Sequence, residues 1–208
     1  MNARAHRGAA RVVERLQALG AVSDAEDGLT RLTLSPAHRR AVDLVAGWMR
    51  EAGLATRLDG AATLVGRREA GAAGARTLLI GSHIDTVRDA GLYDGNLGVV
   101  LAIEALQRLG EQGVELPFAV EVLAFGDEEG VRFPTALTGS RAVAGTFDPA
   151  ALDTTDADGV TRRAALQAFG CDPAAIAAEA RDPAAMLGYL EVHIEQGPVL
   201  ESRRLALG

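Results

Sequence analysis

A single cysteine, Cys171, in 208 residues excludes an internal disulfide and fits a cytoplasmic address. No apolar run approaches the ~18 residues that span a bilayer, which argues against a membrane partner. The start, MNARAHRGAARVVERL, lacks the apolar h-region of a signal peptide. Basic charge is also scarce. Lys and Arg number 21 against 28 Asp and Glu, a formal net charge of -7, and the Arg pairs at 39–40, 67–68 and 203–204 form no stripe. Nucleic acid is therefore not expected as a partner. No Gly-rich phosphate loop is present, and Ser82 and Ser140 lack a nucleophile-elbow pattern. Cys171, in FGCDPAA, has no neighbouring histidine to activate it. DTTDADG at 153–159 hints at a calcium loop, but its best register puts Thr154 at the first position and Ala165 at the last. Without the bidentate glutamate it reads as a polar turn.

What is there is an ordinary balance for a soluble globular enzyme, 48% hydrophobic and 24% charged. The apolar spacing predicts helices over 4–19 and 36–52, closed by Gly20 and Gly53, with Pro36 opening the second. LATRLDG and AATLVGRR read as two short strands around a turn at Gly60. RTLLIGS (76–82) and PFAVEVLAFG (117–126) are apolar runs suited to strands covered on both faces, and NLGVVLAIEALQRLG (96–110) between them is a periodic helix. Strand, helix, strand makes a right-handed βαβ unit with parallel strands. The expected fold class is α/β, a mostly parallel mixed sheet flanked by helices. Residues 138–187 read as a peripheral helical stretch with Asp-Pro starts, and 189–196 as a third strand. ESRRLALG stops inside what reads as a new strand, so the chain is expected to be truncated.

In open sheets of this kind ligands gather beyond the carboxyl ends of the strands, where GSHID and GDEEG lie. His83 and Asp85, two apart on extended chain, share a face, which suits a metal-bound imidazole backed by a carboxylate. The plainer alternative is a surface ion pair. Asp94 or Asn96 would by itself be read as a helix cap, although a carboxylate there can also face a cation. Glu128 and Glu129 are either a solvated acidic loop or a ligand beside a general base. His193 alternates with Glu191 on the third strand, a position more often filled by a core or edge histidine. His6 and His38, without acidic company, read as surface residues. Taken together, His83, Asp94, Glu129 and His193 fall at the ends of three strands, and two imidazoles with two carboxylates suit zinc or manganese.

GSHIDTV, DGNLG, DEEGVRFP and YLEVHIEQGPVLE, within a stretch running from the TRL at 30–32 to Glu201, resemble the amidase branch of the M20 metallopeptidase-like superfamily. That branch holds allantoate amidohydrolases, N-carbamoyl-L-amino-acid hydrolases, β-ureidopropionases and ureidoglycolate amidohydrolases. The resemblance implies two divalent metal ions, Zn2+ or Mn2+. His83 and His193 would serve one metal, Asp94 would bridge both, and Glu129 would hold the second. Glu128 would be the general base, Asp85 the acid behind the metal-bound histidine, and Gln196 a substrate-side residue. It implies a small ureido-type substrate, allantoate first and N-carbamoyl amino acids second. A catalytically inactive metal-binding fragment is the alternative from another class. By the same resemblance, residues 1–208 are the N-terminal portion of the catalytic domain. The lid and dimerisation domain, through which a homodimer would form, and the last metal-binding histidine fall outside it.

Overall fold

A computed structural model describes residues 3–208, with side chains from Arg7 onward, so the side chain of His6 lies outside the described residues. Two helices, α1 (Ala3–Gly20) and α2 (Pro36–Glu51), precede a hairpin of β1 (Ala55–Leu58) and β2 (Leu64–Arg68). Ser35 caps α2 by accepting from the His38 N–H, with Pro36 as its first residue. The hairpin turn is held by Asp59, whose carboxylate accepts from the N–H groups of Ala61 and Thr63. Then come β3 (Thr77–His83), α3 (Asn96–Glu111) and β4 (Ala119–Phe125). After an excursion containing α4 (Thr138–Val143) and α5 (Arg162–Ala168), β5 (Met186–Leu190) returns to the sheet.

The five strands are ordered β1-β2-β4-β3-β5. β4, β3 and β5 are mutually parallel, and the β1–β2 hairpin is added antiparallel at the β4 edge. The expected mixed α/β sheet is therefore present, with its parallel block where the charged motifs lie. All seven residues of β4 are buried. Val120 and Val122 pack with Leu16, Leu19, Val45, Met49, Val99 and Ile103 from the three long helices. Leu123 and Phe125 face the other way, against Leu79 and Val143. Glu121 shares β4 with these apolar residues because Arg67 and Arg181 neutralise it, at 3.1 and 2.9 Å.

Four expectations are corrected. The third strand ends at Leu190, so Glu191 and His193 lie on irregular chain beyond it. ESRRLALG (201–208), expected to enter a strand, instead begins in a short helix, α6 (Val199–Arg203), and continues as irregular chain. Neither Asp94 nor Asn96 caps α3, whose N-cap is Gly95 with no side-chain bond. His38 is fully buried rather than on the surface, stacked on Phe169 at 5.1 Å, and its Nδ1 accepts from the Leu34 N–H. The α2 periodicity already placed His38 one turn before the apolar Val42, on the inner face. Among the described residues, no helix is long and apolar enough to cross a membrane.

Burial, assisted by Arg31 and Arg39, pushes the His38 imidazole down to about 3. The unfolded chain takes this proton near pH 6.5 and the folded chain refuses it until about 3. The stability tied to neutral His38 is thus complete above pH 6.5 and is lost as pH falls through that window. The expected slope is up to about 1.4 kcal/mol per pH unit. Urea unfolding at pH 7 and pH 5 should show this loss, and His38→Asn should flatten it. An unchanged slope in the variant would refute the assignment.

Candidate metal centre

The three parallel strands deliver their ends to one place. β3 finishes at His83, paired with Phe125 at the end of β4, and β5 runs alongside as far as Leu190 opposite Ile80. The chain leaving β4 carries Asp127, Glu128 and Glu129, the chain leaving β5 carries His193, and Asp94 stands just before α3. The glycines of DGNLG make this convergence sterically possible. Gly95 has φ +65°, and a Cβ there would lie 2.5–2.6 Å from three atoms of the His83 ring. A Cβ on Gly98 would run into the Val192 carbonyl and Ser82, so its absence lets the segment before His193 lie against α3.

The protonation of the two imidazoles follows from their partners. His83 Nδ1 lies 2.9 Å from the Asp85 carbonyl and His193 Nδ1 lies 2.8 Å from the Ile194 carbonyl. A carbonyl only accepts, so each Nδ1 carries its hydrogen, the tautomer in which Nε2 is the ligating atom. The two Nε2 atoms face each other at 3.3 Å. Asp94 Oδ1 lies 3.2 Å from His193 Nε2 and 3.9 Å from His83 Nε2, is buried, and makes no hydrogen bond. One oxygen and two ring nitrogens able to ligate a metal thus converge, the donor set that suits a cation.

A second group joins His83 to Glu128 and Glu129. Glu128 Oε2 is 3.9 Å from His83 Nε2 and its side chain is about one-third exposed. Glu129 Oε1 is buried with no partner, and burial pushes the Glu129 carboxyl up, against the opposing pull of His83. The four sequence-predicted ligands and Glu128 thus lie together, with His83 common to both groups.

Asp85 and Gln196 make contacts that side-chain spacing does not foretell. The carbonyl of Asp85, not its carboxylate, meets His83 Nδ1; the nearer carboxylate oxygen is 3.9 Å away. That carboxylate instead accepts from the N–H groups of Glu128 and Glu129 at 3.1 and 3.2 Å, fixing the acidic loop. Burial, with Asp127 adding to it, pushes the Asp85 carboxyl up to about 7. Gln196 turns its amide to Asp94, donating to Oδ2 at 2.7 Å, which leaves Oδ1 as the free oxygen.

Sequence reasoning missed three buried residues around the centre. Asp127, at φ +59°, accepts from the Thr138 hydroxyl at 2.8 Å and pairs with Arg162 at 3.1 Å. Arg162 comes from the excursion read as peripheral, yet it is 1% exposed. Arg31 is fully buried; an arginine isolated in the apolar run LTRLTL is the one signal that points to it.

Fold and donors together define an α/β protein with an imidazole–carboxylate centre at the carboxyl ends of parallel strands. Residues 79–208 match the model of peptidase family M20/M25/M40, and the chain belongs to that metal-dependent family. It is 45% identical over 199 residues to an N-carbamoyl-L-amino acid amidohydrolase of Geobacillus stearothermophilus, covering 95% of this chain and 49% of the relative. It is 48% identical over 193 residues to an allantoate deiminase of Arabidopsis thaliana, covering 91% and 37%. A hydantoinase/carbamoylase family amidase from Burkholderia ambifaria superposes with a TM-score of 0.81 at 36% identity, covering 94% of this chain and 47% of that structure. The chain spans about half the length of these relatives or less.

Proposed function

We propose that the chain is the N-terminal part of the catalytic domain of a metal-dependent amidohydrolase that cleaves linear ureido amides, H2N-CO-NH-R, and works as a homodimer. The observation that carries this reading is the convergence of His83 Nε2, His193 Nε2 and a buried Asp94 Oδ1 that has no hydrogen-bond partner. His83, Asp94 and His193 would hold one cation, and Glu129 would contribute to a second. Imidazole and carboxylate donors suit zinc or manganese. Such cations supply Lewis acidity toward the carbonyl and lower the pKa of water.

The chain's own residues supply the proton traffic. Glu128, about one-third exposed and 3.9 Å from His83 Nε2, accepts the proton of the attacking water as its oxygen bonds to the ureido carbon. The C–N bond then breaks and Glu128 returns that proton to the departing nitrogen, so the carboxylate is regenerated. Asp85 holds the Glu128 and Glu129 amides, and Gln196 holds Asp94 in rotamer; both orient rather than react.

Allantoate is the proposed substrate, on the likeness of FPTALTGSRAVAG to the allantoate group. N-carbamoyl amino acids are the second reading, favoured by the name of a 45% identical relative. Inactivity as a metal-binding fragment finds no support among relatives named as amidohydrolases and deiminases. Dialysis of the full-length protein against a chelator is expected to abolish ammonia release from allantoate, and zinc or manganese to restore it. Release that survives chelation overturns the proposal. Preference for N-carbamoyl amino acids in kcat/KM would select the second substrate.

A further inference from the structure

We infer that Arg31 is the positioning residue of the candidate centre, holding both ends of the 84–96 loop in register for His83 and Asp94. The inference rests on the reading of those residues as cation ligands. Arg31 is 0% exposed, and its four side-chain hydrogen bonds all go to carbonyl-type oxygens. Nε donates to the Ile84 carbonyl at 2.6 Å, and Nη2 donates to Asn96 Oδ1 at 2.8 Å. Ile84 directly follows His83, and Asn96 lies two residues beyond Asp94. One rigid guanidinium, 53 residues before the first contact and 65 before the second, therefore fixes the separation between the two ends of the loop.

Nη1 ties this clamp to the helical layer through the carbonyls of Leu19 and Val22, both at 2.7 Å. The backbone around Arg31 repeats the attachment. Its N–H donates to Thr86 Oγ1 at 2.9 Å, the Thr86 N–H donates back to the Arg31 carbonyl at 2.9 Å, and the Ala90 N–H donates to the Leu29 carbonyl at 2.7 Å. The 84–96 loop has no regular secondary structure of its own before α3. Its geometry is imposed by this upstream segment. Lysine keeps the charge, but its ammonium cannot span four acceptors from a planar fork.

Titration of the protein with Co2+ tests this, read by the visible ligand-field spectrum of the bound ion. Urea unfolding followed by Trp48, the single tryptophan, gives a separate measure of global stability. Arg31→Met is expected to weaken Co2+ binding ~10–100-fold, the range for losing a partner that orients ligands, and to alter the bound spectrum. Arg31→Lys should fall between the variant and the parent. Arg15→Met is the control, because Arg15 is also buried but packs over Trp48 at 5.5 Å and touches none of the centre. It should lose stability and keep its Co2+ affinity within ~2-fold, the scatter expected of a remote site.

If Arg31→Met does not fold, Asn96→Ala, which leaves Arg31 in place and removes one acceptor, carries the decision and should weaken binding with an altered spectrum. Parent-like Co2+ affinity and spectrum in Arg31→Met, or in Asn96→Ala where it decides, overturn the positioning role. Loss in Arg15→Met as large as in Arg31→Met does the same. Failure of the underlying reading looks different: the parent would not bind Co2+, or His83→Ala would bind it as well as the parent.

Discussion

In the full-length protein, Glu128→Gln is expected to lower turnover ~10²-fold or more while leaving cation content unchanged, because on the proposed reading it removes a general base and no ligand. Glu129→Gln is expected to lower cation content first and turnover as a consequence. The two neighbours differ in surroundings rather than chemistry. Glu129 has a buried oxygen with no partner, which a cation would satisfy, whereas the Glu128 side chain is about one-third exposed and free to receive a proton. Their backbones are held alike by the two oxygens of Asp85, so amide substitution at either side chain leaves the loop in place. Metal analysis beside ammonia-release kinetics on the same preparations separates the roles. Equal metal loss in both variants would show that the division is wrong.

Gly95→Ala should cost at least ~10²-fold in cation affinity, at or beyond the upper end of what losing an orienting partner costs. The added methyl would stand 2.5–2.6 Å from three atoms of the His83 ring, so the ring must swing out of line with His193 and Asp94. Backbone strain alone does not account for this expectation. Gly113 also has positive φ, +67°, but nothing lies within 4 Å of where its Cβ would be. Gly113→Ala should therefore lose about 1 kcal/mol or somewhat more of stability through its backbone and bind cation like the parent. Equal affinities of the two alanine variants in a zinc titration would refute the steric account.

Periodicity and apolar runs made the parallel block legible: TLLI, AVEVLAF and the helix between them give β3, β4 and α3 in the expected places. The convergence of His83, Asp94, Glu129 and His193 was legible too, because β-sheet topology places strand ends together. What could not be read was direction within the site. The choice of the Asp85 carbonyl rather than its carboxylate for His83 depends on how the chain turns after β3, which side-chain spacing does not encode. Gln196 meets Asp94 across 102 residues, and Arg162 meets Asp127 from α5. Long-range pairings of this kind leave no local period. For His38 the signal is simpler: its place on the inner face of α2 outweighs its lack of acidic neighbours.

The strand order is also a schedule. β5 pairs with β3 and not with β4, its predecessor in the sequence, and His193 meets His83 across 110 residues. At a synthesis rate of about 5–20 residues per second, about 5–20 seconds separate the emergence of the two imidazoles. Throughout that interval the outer edge of β3 is unpaired, and Asp94 has only one histidine beside it. On the proposed reading, cation capture is thus tied to the last strand of the block. A nascent chain short of β5 would hold such ions weakly and offer an open strand to its neighbours, while arrival of β5 closes that edge and brings the second imidazole in the same event.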